Sequence, residues 1–412
     1  MTTLKNFASF IIDTGRLLVK GGPVYYAWVA FLLVLIVFGA HAYIGQVGTG
    51  LLATNMRDQV SWGFYIGNFT FLVGVAAAAI MLVIPAYIYH WDPIKEITIL
   101  GEMLAIAALI MCLCFVMVDI GRPDRFWHIM PVVGRLNWPS SMLAWDVLVL
   151  NAYLTLNYFV VTYLLFCAYT ERPYIKKLVT PLVLLSIPTA ISIHTVTAYL
   201  YNGLAARPFW NSAILAPRFL ASAFCSGPAI LVILLQVLRK TTKLSIKDEA
   251  IFKIAELMAY TMGFNLFLTA AESFKELYSG TEHTVYFQYL LFGLKGHNDL
   301  VPFAWASILC GLLAFILFMV PKFRTNWIWL NAGCVLAYAS VYIEKGMGLI
   351  IPGLTPDTLG EMYIYRPSVT EVSVAAGIFA LGFLAFTVML KAAVPMMLGE
   401  FTINRKKKTE NV

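Results

Sequence analysis

The stretch GEMLAIAALIMCLCFVMVDIGRPDRFW, residues 101–127, decides the fold. Between Glu102 and Asp119 it carries no charged or amide side chain, and it then breaks into a Gly-Arg-Pro turn. About 20 apolar residues span the hydrocarbon core of a bilayer, so such a run crosses a membrane as one helix. Asp119 then lies at a membrane boundary, where a carboxylate is costly unless something compensates it.

The same signature recurs along the chain. Ten apolar runs lie at about 25–46, 64–89, 97–118, 142–168, 177–200, 219–238, 253–274, 300–320, 327–347 and 373–398. Hydrophobic residues make up 60% of the 412 and charged residues 12%, with a mean hydropathy of +0.78. A soluble chain needs more polar surface than that. The reading is an all-α integral membrane protein of about ten transmembrane helices, with residues 23–400 as one polytopic domain. Residues 1–22 read as an amphipathic segment lying in the membrane interface, through Phe7, Phe10, Ile11, Leu17 and Leu18. Asp13 and Arg16 interrupt them, which argues against a signal peptide. Residues 401–412 read as a basic cytoplasmic tail.

The net charge of +7 belongs to membrane topology, not to nucleic acid. Alternating spans place 19 of the 29 Lys and Arg residues on the side of the termini. By the positive-inside rule both termini are cytoplasmic in a multi-pass protein of the cell membrane. The opposite, outer connections (47–63, 119–141, 201–218, 275–299 and 348–372) are longer and rich in aromatic, Pro and Gly residues. Long structured loops on one face suit a docking platform or a lid. The six cysteines lie mostly inside apolar runs, without a CxxCH motif or cluster-binding spacing. They read as core residues, and no metal site is expected.

Ionisable residues inside spans are functional candidates. Toward the outer face lie His41, Asp119, Asp146, His194, Glu272, Glu344 and Glu371; the inner half holds His90, Glu102 and Glu256. Glu344 beside Lys345 reads as an ion pair at a helix end, Glu371 as an acid at a helix N-terminus, and His90 as an interface anchor. His194 stands among hydroxyl residues and exchanges a proton near neutral pH. The segment SWGFYIGNF (61–69) brings Trp62, Tyr65 and Asn68 to the level of Asp119. A few polar groups in an aromatic cleft suit a quinone head. Quinone reduction also consumes protons, which makes Asp119 and His194 the candidate acid–base groups. Arg122 either holds Asp119 ionised or faces a docked partner. Glu102 and Glu256 are candidates to begin a proton path from the cytoplasm past Asn265 or Asn151 toward the outer site.

At DIGRPDRFW (119–127) the sequence resembles the NrfD / polysulfide-reductase membrane-subunit family of quinone-interacting proteins. The resemblance extends through SWGFYIGNFTFLVG (61–74), GEMLAIAALIM (101–111), SIHTVTAYLYNG (192–203), FLASAFCSGPAI (219–230) and the segment 265–305. It is nearest to the ten-span branch of sulfur-metabolising redox complexes that holds the quinone-linked membrane protein of the Dsr complex and its relative in the Hmc complex. It implies two four-helix bundles plus flanking helices, a menaquinone site near the outer face, and no haem or iron–sulfur cluster in this chain. It further implies an outer-face, ferredoxin-like iron–sulfur partner, a multihaem cytochrome c and other redox subunits, with proton translocation through the bundles. The chain would be the quinone-reactive subunit of a larger respiratory oxidoreductase, not catalytic alone. Asp119 and Arg122 fall on the family's best-marked motif. Trp62, Tyr65, Asn68, His194 and Glu272 complete the expected quinone site, and Glu102 falls on a matching segment. Some relatives carry a histidine in the second span, where this chain reads VGVAAAAIM (73–81). Two other classes fit the residues: a secondary ion or anion transporter with discontinuous helices, and a b-type haem anchor using His41 or His194.

Overall fold

The computed structural model describes residues 2–95, 97–130 and 133–404. Most of the expected basic tail, at 405–412, lies outside that set. Ten of the described helices are long and apolar enough to cross a membrane, and the described residues contain no strand. The elements used below are α1 (Thr2–Val19), α2 (Pro23–Thr49), α3 (Phe64–Ala76), α4 (Ala78–Val83), α5 (Thr98–Asp119), α6 (Met142–Tyr169), α7 (Lys176–Asn202), α8 (Leu215–Thr241), α9 (Asp248–Ser279), α10 (Thr284–Leu291), α11 (Val301–Met319), α12 (Trp327–Lys345), α13 (Met347–Leu354) and α14 (Val369–Met397). The fold is all-α and membrane-spanning, as the apolar runs require.

Helix α3 is the hub. It buries every residue from Tyr65 to Val73 and packs on α5 and α8. A helix that is apolar all round, with Gly67 and Gly74 to admit neighbouring backbones, suits the centre of a bundle. Around it α5 packs on α6 and α6 on α7, while α8, α9, α11 and α12 each pack on the next and α12 returns to α8. Helix α1 lies against α6 and α14. Its Phe10 ring meets Phe166 at 5.7 Å and Tyr169 at 5.6 Å, and its buried Asp13 accepts a 2.6 Å hydrogen bond from the Tyr169 hydroxyl.

Helix α2 shows how little burial a lipid-facing helix needs. It buries only Leu32, Gly39 and Gln46 of its 27 residues, each seven positions from the next, and it packs along α14. Without water between them, membrane helices gain from close backbone approach at small residues. A Cβ on Gly39 would come within 2.7 Å of the Gly377 Cα and 2.9 Å of the Ser373 carbonyl. Gly39→Leu is therefore expected to force α2 off α14 at a cost of about 1–3 kcal/mol. A lowered thermal unfolding midpoint in detergent checks this, and an unchanged midpoint would contradict the packing.

Several helices outrun their apolar cores. Helix α8 starts at Leu215, α9 runs to Ser279, and α12 breaks at Gly346 but resumes as α13 to Leu354. Arg218 and Lys345, which the span boundaries assign to the outer side, are consequently buried within helices. The loops at the end opposite the termini, called here the far end, interlock. The Trp210 indole donates to the Leu349 carbonyl at 2.8 Å, the Lys295 ammonium to the Gly360 carbonyl at 2.6 Å, and the Asn55 amide to the Arg366 carbonyl at 2.9 Å.

Candidate functional site

Helix α3 enters the bundle at the far end through Phe64. One turn in, the Asn68 amide donates to the Phe64 carbonyl at 2.8 Å, and its Oδ1 accepts from the Tyr342 hydroxyl at 2.8 Å. The neighbouring Gly67 lets α3 pass against the break at Gly346, whose carbonyl carbon a Cβ would touch at 3.4 Å. Because α12 stops there and α13 sets off anew, a cleft of about 570 Å³ opens between α3, the start of α11, the break and the strap 365–367. Phe64, Leu300, Phe303, Met347 and Ile351 form its apolar walls, and Asn68, Tyr342, Tyr365, Asp299 and Arg366 contribute polar groups. The volume falls in the range of small-molecule sites, with few polar groups on an apolar lining.

The strap is fixed by its own hydrogen bonds. The Tyr365 hydroxyl accepts from the Phe64 amide at 2.8 Å and donates to Glu371. Glu371 also closes a capping box with Ser368 at the start of α14 and accepts from the Asn55 amide at 3.1 Å. Burial and the Glu371 carboxylate push the Tyr365 phenol well above its ordinary range, so it stays a donor. At the mouth, Arg366 donates to Asp299 at 2.9 Å.

Behind the cleft lies a buried cluster of four charges. Arg218 on α8 donates to Glu272 on α9 and, at 2.8 Å, to Glu344 on α12. Glu344 accepts from the Asn265 amide at 3.1 Å and from the Thr269 hydroxyl at 3.4 Å. The Lys345 ammonium stands 3.6 Å from Glu344 and 4.5 Å from the centre of the Phe219 ring. Two cations and two anions balance, which is the condition for keeping such groups inside a membrane protein. A smaller cavity of about 70 Å³ separates this cluster from the cleft, with Leu290, Ala304, Ile343 and Gly348 lining both.

The residues singled out from sequence separate into several places. Asn68 lines the cleft. Tyr65 turns the other way and donates to Gln46 on α2 at 2.7 Å. Asp119 ends α5 with a buried Oδ1 that has no hydrogen-bond partner among the described residues, and it faces Tyr65 and Glu371 electrostatically. It therefore stands behind the Tyr365–Glu371 wall. Trp62 packs between Tyr201 and Trp210, at 5.5 and 5.6 Å. His194 bonds through Nδ1 to the Ala190 carbonyl at 2.7 Å, and its buried Nε2 has no hydrogen-bond partner among the described residues. Arg122 does not reach Asp119: it grips Asp124 through two 3.0 Å bonds on the exposed turn. That hydrogen-bonded pairing lowers the Asp124 carboxyl below the usual carboxylate range. Glu272 and Asn265 belong to the charge cluster. Glu102 is buried, and its Oε2 has no hydrogen-bond partner among the described residues, whereas Glu256 is held by Lys253 at 3.2 Å and Arg324 at 3.6 Å. No hydrogen bond among the described residues joins Glu102 to Glu256.

Tyr342, Tyr365, Arg366, Arg218 and the burial of the Glu344–Lys345 pair escaped the sequence reading. The available signal was the apolar run GLIIPGL after Gly346, which shows that the helical path continues beyond that pair.

Comparison with known proteins bears on this arrangement directly. Residues 52–356, which hold the cleft's Asn68 and Tyr342 and the whole charge cluster, match the model of the family described as polysulphide reductase, NrfD. The chain is 25% identical over 393 residues to a putative membrane subunit of the dimethyl sulfoxide reductase of Halobacterium salinarum, covering 86% of this chain and 88% of the relative. It is 24% identical to an Hdr-like menaquinol oxidoreductase integral membrane subunit of Archaeoglobus fulgidus, over 89% and 92% of the two chains. It is 22% identical to the menaquinone reductase integral membrane subunit of Nitratidesulfovibrio vulgaris, over 92% and 93%. With the family model matched across most of its spans, this ten-helix membrane protein belongs to the NrfD polysulphide reductase family.

Proposed function

We propose that the chain is the quinone-handling membrane subunit of a respiratory reductase complex, and that the far-end cleft is where menaquinone is bound. The observation that carries the reading is the Asn68–Tyr342 pair set in an apolar cleft of about 570 Å³. The residues present fit the group: Phe64, Phe303 and Met347 suit a flat ring system, the second Asn68 N–H and Arg366 are donors for head-group oxygens, and the Tyr342 hydroxyl, whose hydrogen goes to Asn68, fixes that amide in place. Menaquinone, when bound, carries two electrons and two protons between its quinone and quinol forms. The chain's residues orient the head, exclude water and supply or remove protons. Names such as menaquinol oxidoreductase and menaquinone reductase among the relatives support the same substrate.

Electrons are exchanged with an iron–sulfur partner docked on the far-end loops, where Arg122, Arg125, Phe126 and Trp127 are exposed. The termini face the cytoplasm, following the distribution of Lys and Arg. Asp119 acts on the cleft through Glu371 and Tyr365. The test is purification of the complex followed by lipid extraction. Menaquinone is expected in near-stoichiometric amount, and its absence, together with inability to react with added quinone, would refute the reading. Asp119→Asn is expected to leave assembly and menaquinone content intact while slowing quinone turnover at least tenfold. Normal turnover in that variant would remove Asp119 from the mechanism.

A further inference from the structure

We infer that the cleft exchanges its protons with the water at its own far end, along a file of three acids, Glu276, Glu272 and Glu344. The inference rests on the quinone reading above and adds the side of the membrane from which the protons come. Each quinone reduced takes two electrons from the redox partner and two protons passed one at a time from far-end water along the file, after which Glu272 and Glu344 return to the ionised state that balances Arg218 and Lys345; quinol oxidation returns both protons the same way.

Glu276 is the outer member. It is 2% exposed, yet its Oε1 is met by the Lys275 ammonium at 2.5 Å and His283 Nδ1 at 3.8 Å. The Lys275 side chain is 65% exposed and that of His283 27%, so both connect the buried carboxylate to solvent. The other oxygen, Oε2, has no hydrogen-bond partner among the described residues. A buried carboxylate oxygen without a donor calls for water or a proton. Glu272 lies four residues back on α9, and residues at that spacing sit on one face with Cβ atoms about 5–6 Å apart.

The inner part is a wet chamber. Arg218 ties Glu272 to Glu344, and Glu344 faces the 70 Å³ cavity with Asn265, Thr269 and Ser273. The cavity is lined mostly by apolar side chains but presents Arg218, Asn265, Thr269, Ser273 and Glu344 together, and its volume holds a few waters beside them, since one water needs about 10–15 Å³ by this measure. Three further buried atoms have no hydrogen-bond partner among the described residues: Arg218 Nε, Asn265 Oδ1 and Lys345 Nζ, the last in ion-pair range of Glu344. Water in the chamber satisfies such groups, and the chamber shares four residues with the cleft. The groups that face the file's carboxylates are Lys275, His283, Arg218 and Lys345, all cationic or able to become so.

Toward the other end of the bundle the surroundings change. On α9 the nine positions from Asn265 back to Glu256 span about 13 Å of helix, with Met262, Ala259 and Met258 fully buried between them. Inward of the cluster, Ser222, Ser226, Ser307 and Ser340 all donate to backbone carbonyls. Toward the far end, by contrast, Glu272 and Glu276 follow one turn apart on α9, and Arg218 ties Glu272 to Glu344.

The experiment is the whole complex reconstituted in vesicles, far end outward, with the redox partner driving menaquinone reduction. Impermeant pH dyes report the two compartments. The expected result is proton uptake from the outer medium with no change in the lumen. Uptake from the lumen with turnover intact would overturn this inference alone, whereas failure to bind or reduce quinone at all would overturn the underlying reading as well. Glu276→Gln is expected to slow turnover at least tenfold with menaquinone content unchanged, and a small weak acid such as azide is expected to restore part of the rate. Should that variant fold poorly, His283→Asn gives the same readout with a weaker, severalfold loss. Normal rates in both variants would overturn the file.

Discussion

Arg218→Met is expected to prevent stable assembly of this protein. Arg218 is 9% exposed and holds Glu272 and Glu344 at once. Replacing it leaves two buried acids against one cation, Lys345, in a segment surrounded by lipid-facing helices. Breaking a buried ion pair from one side costs about 3–5 kcal/mol, because a charge stays uncompensated in a low-dielectric interior. Three helices, α8, α9 and α12, also lose their common tie. The check is membrane yield together with the unfolding midpoint in detergent. A compensating variant separates charge from shape. Arg218→Met combined with Glu272→Gln restores neutrality, with Glu344 facing Lys345, and is expected to recover most of the lost stability. If the single variant matches the parent protein, the cluster is not what holds these helices together.

That cluster also marks the limit of what the sequence discloses. The spans were legible because an apolar run of about 20 residues has one stable solution in a bilayer, a helix that satisfies its own backbone. GEMLAIAALIMCLCFVMVD needed nothing more to be placed. The pairing of α2 with α14 was not legible, since Gly39 and Gly377 are brought together by tertiary packing and not by any local pattern. Hydropathy likewise ends a span where polar residues begin, so it put Arg218 outside when the helix had already started at Leu215. Glu344 and Lys345 do form an ion pair at the end of α12, but α13 carries the path onward and leaves the pair buried, which a terminal position does not disclose.

Site residues suffered a related ambiguity. Position along a span gives depth, but depth does not say which neighbour a side chain meets. Tyr65 and Asn68 are three residues apart, and one bonds to Gln46 on α2 while the other bonds to Tyr342 on α12. Asp119, Trp62 and His194 share the level of the cleft without lining it. The Gly-Arg-Pro turn directs Arg122 to Asp124, a local partner two residues away that wins because it costs no long-range ordering.

The second large effect is expected at Asn68. Asn68→Leu keeps the branching at Cγ while adding bulk, removes the remaining amide donor facing the cleft, and leaves the Tyr342 hydroxyl without its acceptor. An orienting hydrogen bond in a water-poor site contributes about 1–3 kcal/mol when its loss strands a partner. Quinone turnover at limiting quinone should therefore fall about 10–100-fold. Menaquinone should also be lost during purification, because the same bond holds the head. Tyr342→Phe is expected to produce a smaller loss, and the double variant should be scarcely worse than Asn68→Leu alone, since contacting residues that act as a unit are not additive. Asn68 is buried on α3, so Asn68→Leu is also expected to lower the unfolding midpoint, and the variants are compared at a temperature where all three remain folded. The measurement is quinone dissociation and limiting turnover across Asn68→Leu, Tyr342→Phe, the double variant and Asp119→Asn. Full quinone affinity in Asn68→Leu, combined with its loss in Asp119→Asn, would move the head group out of this cleft and behind the Tyr365–Glu371 wall.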